Sequence, residues 1–216
     1  MATINSVLGE IDSKDLGFTL MHEHVMVAAS GLSIHYPDLL GPNREKRAIE
    51  CLKTAKAHGI DTMLDATTFD LGRDPALLKT VAKASGVNLI NVTGWWLDVP
   101  RFMQGVGANQ MADEFIKDLT EGFRGTDIKA GMLKCAADFE GVTPPLETMA
   151  RAVARAHLQT GVPIMVHSYP TGQVARRQIA IFKEEGVDLG RVKIDHSNDT
   201  TDTEYLKWIL DQGCFL

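Results

Sequence analysis

ARAHLQTGVPIMVH, residues 154 to 167, contains the plan on which the chain is built. Its first half closes a helical segment that starts at the paired prolines Pro144 and Pro145, a favoured way to open a helix. Gly161 stops that segment, and Val162 to Val166 is a short apolar run of the length and composition of a buried strand. The run ends abruptly on His167. A helix, a glycine turn and a buried strand in immediate succession are the parts of a parallel β/α crossover.

The same plan repeats on both sides. Strand-like runs span Phe18 to His24, Ile60 to Thr67, Asn88 to Gly94, Ile128 to Ala136, Val162 to His167 and Val192 to His196. Between them REKRAIECLKTAKAHG places Ala48, Cys51, Leu52, Ala55 and Lys56 at helical spacing and stops at Gly59, and Asp74–Gly86, Ala112–Phe123 and Ala175–Gly186 follow suit. The joints HGID, SGVN, TGVP and EGVD put a glycine just before the next strand. Six β/α units result, followed by a helix over Asp202–Gly213 and by CFL, Cys214 to Leu216, which has the look of a seventh strand beginning. A doubly wound sheet and a closed barrel both give this alternation, so periodicity leaves that choice open.

The bulk numbers describe a soluble globular chain: 216 residues, 44% hydrophobic, 23% charged and a net charge of -6. One domain over residues 1–216 is the expectation. No dense run of Lys and Arg suits nucleic acid or an anionic bilayer, and no segment approaches the roughly 20 apolar residues of a membrane span. The N-terminus has neither a basic cap nor a long apolar core, so a cytoplasmic location is expected. Cys51, Cys135 and Cys214, odd in number and far apart, suit reduced thiols.

Chemistry gathers at the strand ends. In FTLMHEHV, Phe18 to Val25, an apolar run meets His22, Glu23 and His24, side chains that are costly to bury without partners. His22 and His24 stand two apart and so share a strand face, with Glu23 turned away. By itself this pair reads equally as two hydrogen-bonded histidines or as a grip on one cation. His167 and His196 end two further strands, which places four of the seven histidines at the C-terminal strand ends where α/β folds build their sites. His58 and His157 stand near helix C-termini as capping residues, and His35 is placed in the loop after the first strand. Lys134 alternates with Ile128, Ala130 and Met132 onto an inner face. It is read either as a lysine snorkelling to the rim or as one with a lowered pKa that can react.

At this point the residues resemble the phosphotriesterase family of the amidohydrolase superfamily. LGFTLMHEHV, LGRDPALL (Leu71 to Leu78), INVTGWW (Ile90 to Trp96), AGMLKCA, ARAHLQTGVPIMVH, RVKIDHSNDTTD and the EYL after it carry the resemblance in order through nearly the whole chain. The resemblance implies a TIM-type (β/α)8 barrel holding two divalent metals, zinc or else cobalt, manganese or iron. It implies His22 and His24 as ligands of one metal, His167 and His196 as ligands of the other, and Lys134 as their bridge after reacting with carbon dioxide to a carbamate. A shared hydroxide would attack a lactone, carboxylic ester or phosphoester. Asp199 would relay a proton, with N-capping of the next helix as its alternative role, and Trp95 and Trp96 would line the substrate site or pack over the barrel end. Gly72, Arg73 and Asp74 suggest an Arg-Asp contact ordering a loop. A homodimer is implied as well.

One departure stands out. The family's aspartate ligand from strand 8 has no candidate here, since Asp195, beside His196 on a strand, should face the other way. The expectation is therefore a barrel incomplete at its C-terminal end, about six β/α units and the start of strand 7. Beside the hydrolase stands a catalytically impaired or silent paralogue that binds a metal or a partner. A phosphorylated-metabolite binder is a weaker third reading, because no glycine-rich phosphate loop follows any strand.

Overall fold

The helix-to-strand joint at Gly161 works as its sequence suggests. Gly161 takes φ +72, a left-handed conformation that costs glycine little, and its N–H closes on the His157 carbonyl at 2.7 Å. The computed structural model describes residues 2–216. They form two compact units, one comprising the chain up to Thr93 with Lys117–Gly131, the other Gly94–Ile116 with Met132–Leu216.

The first unit opens with an antiparallel hairpin of β1 (Thr3–Ser6) and β2 (Gly9–Asp12), which the sequence reading did not anticipate. The hairpin is tied down where Val7 N–H donates to Leu89 O at 2.8 Å and the Asn5 amide donates to the carbonyls of Leu119 and Ala130. Then come β3 (Thr19–Glu23), α1 (Leu32–His35), α2 (Arg44–Ala57), β4 (Thr62–Asp65), α3 (Pro75–Ser85) and β5 (Asn88–Gly94). Strands β3, β4 and β5 pair in parallel, with Thr19 opposite Thr62 and Thr62 opposite Asn88. Leu52, Leu77, Leu78 and Val81 from the helices are buried, as are Met63, Leu64, Leu89 and Val92 from the strands. Burial of each such side chain contributes about 1.5–3 kcal/mol.

The second unit holds β6 (Met132–Ala136), α5 (Pro144–Thr160), β7 (Ile164–His167), α6 (Ala175–Glu185), β8 (Val192–Ile194) and α7 (Thr203–Asp211), and most of α4 (Ala108–Thr120). Strands β6, β7 and β8 are again parallel, and one register row runs Lys134, Met165, Lys193. Phe215 adds an isolated parallel bridge beside β8: its N–H donates to Val192 O and its carbonyl accepts from Ile194 N–H. All three cysteines are free.

The β/α alternation of a TIM-type barrel is thus present from β3 to α7, with every strand but β5 shorter than its apolar run. Ile128–Gly131 was expected to open a strand, yet its polar backbone is engaged elsewhere: Ile128 O accepts from Phe123 N–H, Ala130 N–H donates to Asp118 O, and Gly131 N–H to Asn91 O. His35 belongs to the last turn of α1 rather than to a loop. Among the described residues no helix is long and apolar enough to cross a membrane.

Candidate functional site

In the first unit, β3 ends at Glu23, so His22 lies in the strand and His24 just past it. Their rings meet edge to face with centroids 5.5 Å apart, which bears out a shared side. His22 is half-buried, whereas Glu23 and His24 are exposed. Beneath His24 lies a buried polar chain. His24 Nδ1 is 2.9 Å from Thr67 Oγ1, which is 2.7 Å from Asp65 Oδ1, and the Asn91 amide donates to Asp65 Oδ2 at 3.1 Å.

The signature loop after β4 is organised otherwise than expected. Asp74 does not pair with Arg73 but caps α3, accepting from Leu77 N–H at 3.0 Å. Arg73 reaches the Val92 carbonyl at 3.0 Å and Asp118 at 3.5 Å, and lies 3.7 Å over the Phe123 ring. Burial pushes its pKa down, and the Asp118 carboxylate opposes that shift. The role inferred for the loop, structural before catalytic, is what this geometry provides.

In the second unit, Lys134 sits mid-strand in β6 and is 1% exposed, in a strand buried along its whole length. Gly94, at φ +114, lets the backbone pass close to that of Lys134: a Cβ there would collide with the Lys134 carbonyl. His167 closes β7, and its ring lies 4.4 Å from that of His196 and 5.7 Å from that of Trp96. Burial lowers the His167 pKa to about 4, against the pull of Asp138 and with the charges of His196 and Lys134 adding to the depression. The imidazole is therefore neutral at physiological pH and has a lone pair to offer. Asp138 Oδ2 stands 3.1 Å from His167 Nε2, and the Gln178 amide donates to the His167 carbonyl at 2.9 Å. A carboxylate against one ring nitrogen leaves the other for a metal, the usual support for a histidine ligand.

His196 lies beyond β8 in a left-handed conformation, φ +60, with Nδ1 3.4 Å from Asp199 Oδ2. Asp199 is not the cap of α7. Asp202 is, accepting from Tyr205 N–H at 3.0 Å, so the capping alternative for Asp199 falls away. The alternation argument about Asp195 loses its footing too, because β8 ends at Ile194 and neither Asp195 nor His196 is in the strand. Asp195 is buried and ion-paired with Lys193. Burial, with repulsion from Lys134, lowers the Lys193 pKa to about 8. Trp95 is buried and packs edge-on against Phe115, centroids 4.9 Å apart, while Trp96 is half-buried beside His167. His58 and His157 bond backbone carbonyls, those of Thr54 and Val162, as their helix-end positions suggested.

Sequence reading missed Asp65, Thr67, Asp138, Gln178 and Lys193, and it considered Asp195 only as a metal ligand. Lys193 and Asp195 stand two apart on an apolar run, the same signal that exposed His22 and His24. Asp138 lies in a loop and gives no periodic signal. Among the described residues no three His, Cys, Asp and Glu side chains gather as a metal-holding group; the imidazoles come in pairs within each unit. The neutral His167 imidazole, with a carboxylate against one ring nitrogen and His196 beside it, suits a divalent cation of the zinc type in donor chemistry.

The phosphotriesterase family profile matches residues 2–216. A phosphotriesterase homology protein of Mycobacterium tuberculosis is 41% identical over 228 residues, which cover all of this chain and 70% of that protein. The aryldialkylphosphatase of Saccharolobus solfataricus is 40% identical over 95% of this chain and 67% of its own length. The human N-acetyltaurine hydrolase is 26% identical over 99% of this chain and 70% of its own. A profile match along the described chain and 41% identity to a homologue establish that the chain belongs to the phosphotriesterase family.

Proposed function

We propose that the chain is a metal-dependent hydrolase that takes two divalent cations, zinc first and cobalt, manganese or iron as substitutes, and cleaves a lactone, carboxylic ester or phosphoester. The observation that carries the reading is the neutral His167 imidazole beside His196, in a unit that also buries the Lys134 side chain. His22 and His24 would hold one cation, and His167 and His196 the other. Lys134, as its carbamate, would supply anionic oxygen: the neutral amine adds to carbon dioxide, forms an N–C bond and releases one proton. When bound, such cations acidify water and polarise the substrate oxygen that gains charge.

The remaining roles fall to the chain itself. Asp138 and Asp199 orient the rings of His167 and His196 through one nitrogen each. Asp199, whose side chain is 56% exposed, can pass a proton on to solvent. Trp96 offers an aromatic edge to the substrate's leaving group, and Trp95 anchors that loop by packing on Phe115. Relatives named aryldialkylphosphatase and N-acetyltaurine hydrolase support the hydrolase class and span phosphoester and amide substrates. We favour a lactone or ester for this chain, handled in the cytoplasm by a homodimer.

Metal analysis of the protein purified with bicarbonate tests the reading. At least one divalent ion per chain is expected, and less than one overturns it. Lys134→Ala should lose metal and turnover together. Retention of both would refute the carbamate assignment, and metal uptake without turnover on lactone, ester and phosphotriester substrates would leave a binding protein instead.

A further inference from the structure

His24 stands one residue beyond β3, where no strand ladder orients it, and a neutral imidazole can carry its proton on either nitrogen. The groups below it permit one choice. Asp65, 1% exposed at the end of β4, receives three donors: Val25 N–H at 3.2 Å, the Asn91 amide at 3.1 Å and the Thr67 hydroxyl at 2.7 Å. Arg73 also lies within its electrostatic reach. Three donors and a nearby cation favour the ionised carboxylate, which can only accept.

The single hydroxyl proton of Thr67 is thereby committed to Asp65. The other acceptor near that hydroxyl, the Met26 carbonyl, is at 3.5 Å. Thr67 Oγ1, 2.9 Å from His24 Nδ1, must then accept from the ring. It follows that Nδ1 carries the proton and Nε2 the lone pair.

We propose that Thr67 and Asp65 are positioning residues that lock His24 in its Nδ1–H form, so that Nε2 is the nitrogen presented to a divalent cation. This rests on the metal reading above for its purpose, though not for its geometry. Neither residue touches substrate or metal in this arrangement. Their contribution is to keep a proton off the donor nitrogen and to fix the ring plane, and removal of such a support typically weakens metal binding 10- to 100-fold.

The test is histidine nitrogen NMR on the metal-free, 15N-histidine-labelled protein near neutral pH, with His24 signals assigned by their loss in His24→Gln. Wild type should show a protonated Nδ1 and an unprotonated Nε2. Thr67→Ser keeps the hydroxyl and should keep that pattern. Thr67→Val should move His24 toward the Nε2–H form and raise the zinc dissociation constant, read by chelator competition, by about 10- to 100-fold. A wild-type ring protonated on Nε2, or a Thr67→Val ring that stays protonated on Nδ1, overturns the inference. Should Thr67→Val fail to fold, the wild-type ring state and Thr67→Ser still decide. The two readings fail separately: an Nε2–H ring overturns this one even where zinc binds, while an Nδ1–H ring in wild type and Thr67→Ser upholds it where zinc does not bind, and the metal reading alone then falls.

Discussion

Acid should destabilise this protein through His167. Its side chain is 13% exposed, and burial holds its pKa at about 4 although the Asp138 carboxylate pulls the other way. In the unfolded chain the same ring titrates near 6.5, its ordinary value. Between those two values the unfolded state takes up a proton that the folded state refuses. Stability is therefore level above about pH 6.5 and falls as the pH drops from there to about 4. At about 1.4 kcal/mol per pH unit, the whole gap is worth about 3 kcal/mol, of which about 2 is lost by about pH 5. Urea unfolding of the metal-free protein near pH 7 and near pH 5 measures it, with His167→Gln as the reference that lacks the ring but shares the other titrating groups. The wild type should lose about 2 kcal/mol more than the variant between the two conditions. An equal loss in both would refute the burial argument, and an imidazole titrating near 6.5 by NMR would do so directly.

Two further expectations concern residues whose roles the structure reassigns. Arg73→Met removes a buried guanidinium and leaves Asp118 and the Val92 carbonyl without it, so chemical denaturation should show a loss of about 3 kcal/mol, and a change below about 1 would mean the cluster is not holding the loop. Asp202→Ala should cost about 0.5–2 kcal/mol through the lost cap of α7, whereas Asp199→Ala should leave thermal stability within about 0.5 kcal/mol and lower turnover; a reversed order would return the capping role to Asp199.

Much of the fold is legible in the chain because its signals are local. Pro144 and Pro145 can open a helix and Gly161 can close one whatever surrounds them, and the runs ending in Ala136 and His167 are apolar because both faces of those parallel strands are covered. What local signals overstate is extent. The Ile128 run reads as strand from its first residue, yet its carbonyl and neighbouring N–H groups bond Phe123, Asp118 and Asn91, so the strand begins at Met132. The β1–β2 hairpin, with four residues in each strand, is too short to announce itself and depends on Leu89, Leu119 and Ala130 to hold it.

The sequence by itself marked His22, His24, His167 and His196, where apolar runs stop on histidine, and Lys134, which alternation sets on an inner face, and its resemblance to the family joined the five as candidates. The tertiary structure decided what surrounds them. That Asp138 faces His167, that Thr67 stands between His24 and Asp65, that Arg73 answers Asp118 rather than Asp74, and that Asp202 rather than Asp199 caps α7 all depend on hydrogen bonds, most of them between residues far apart in the chain. Such bonds leave no periodic trace in sequence, because their partners are matched by distance and burial after the strands have assembled.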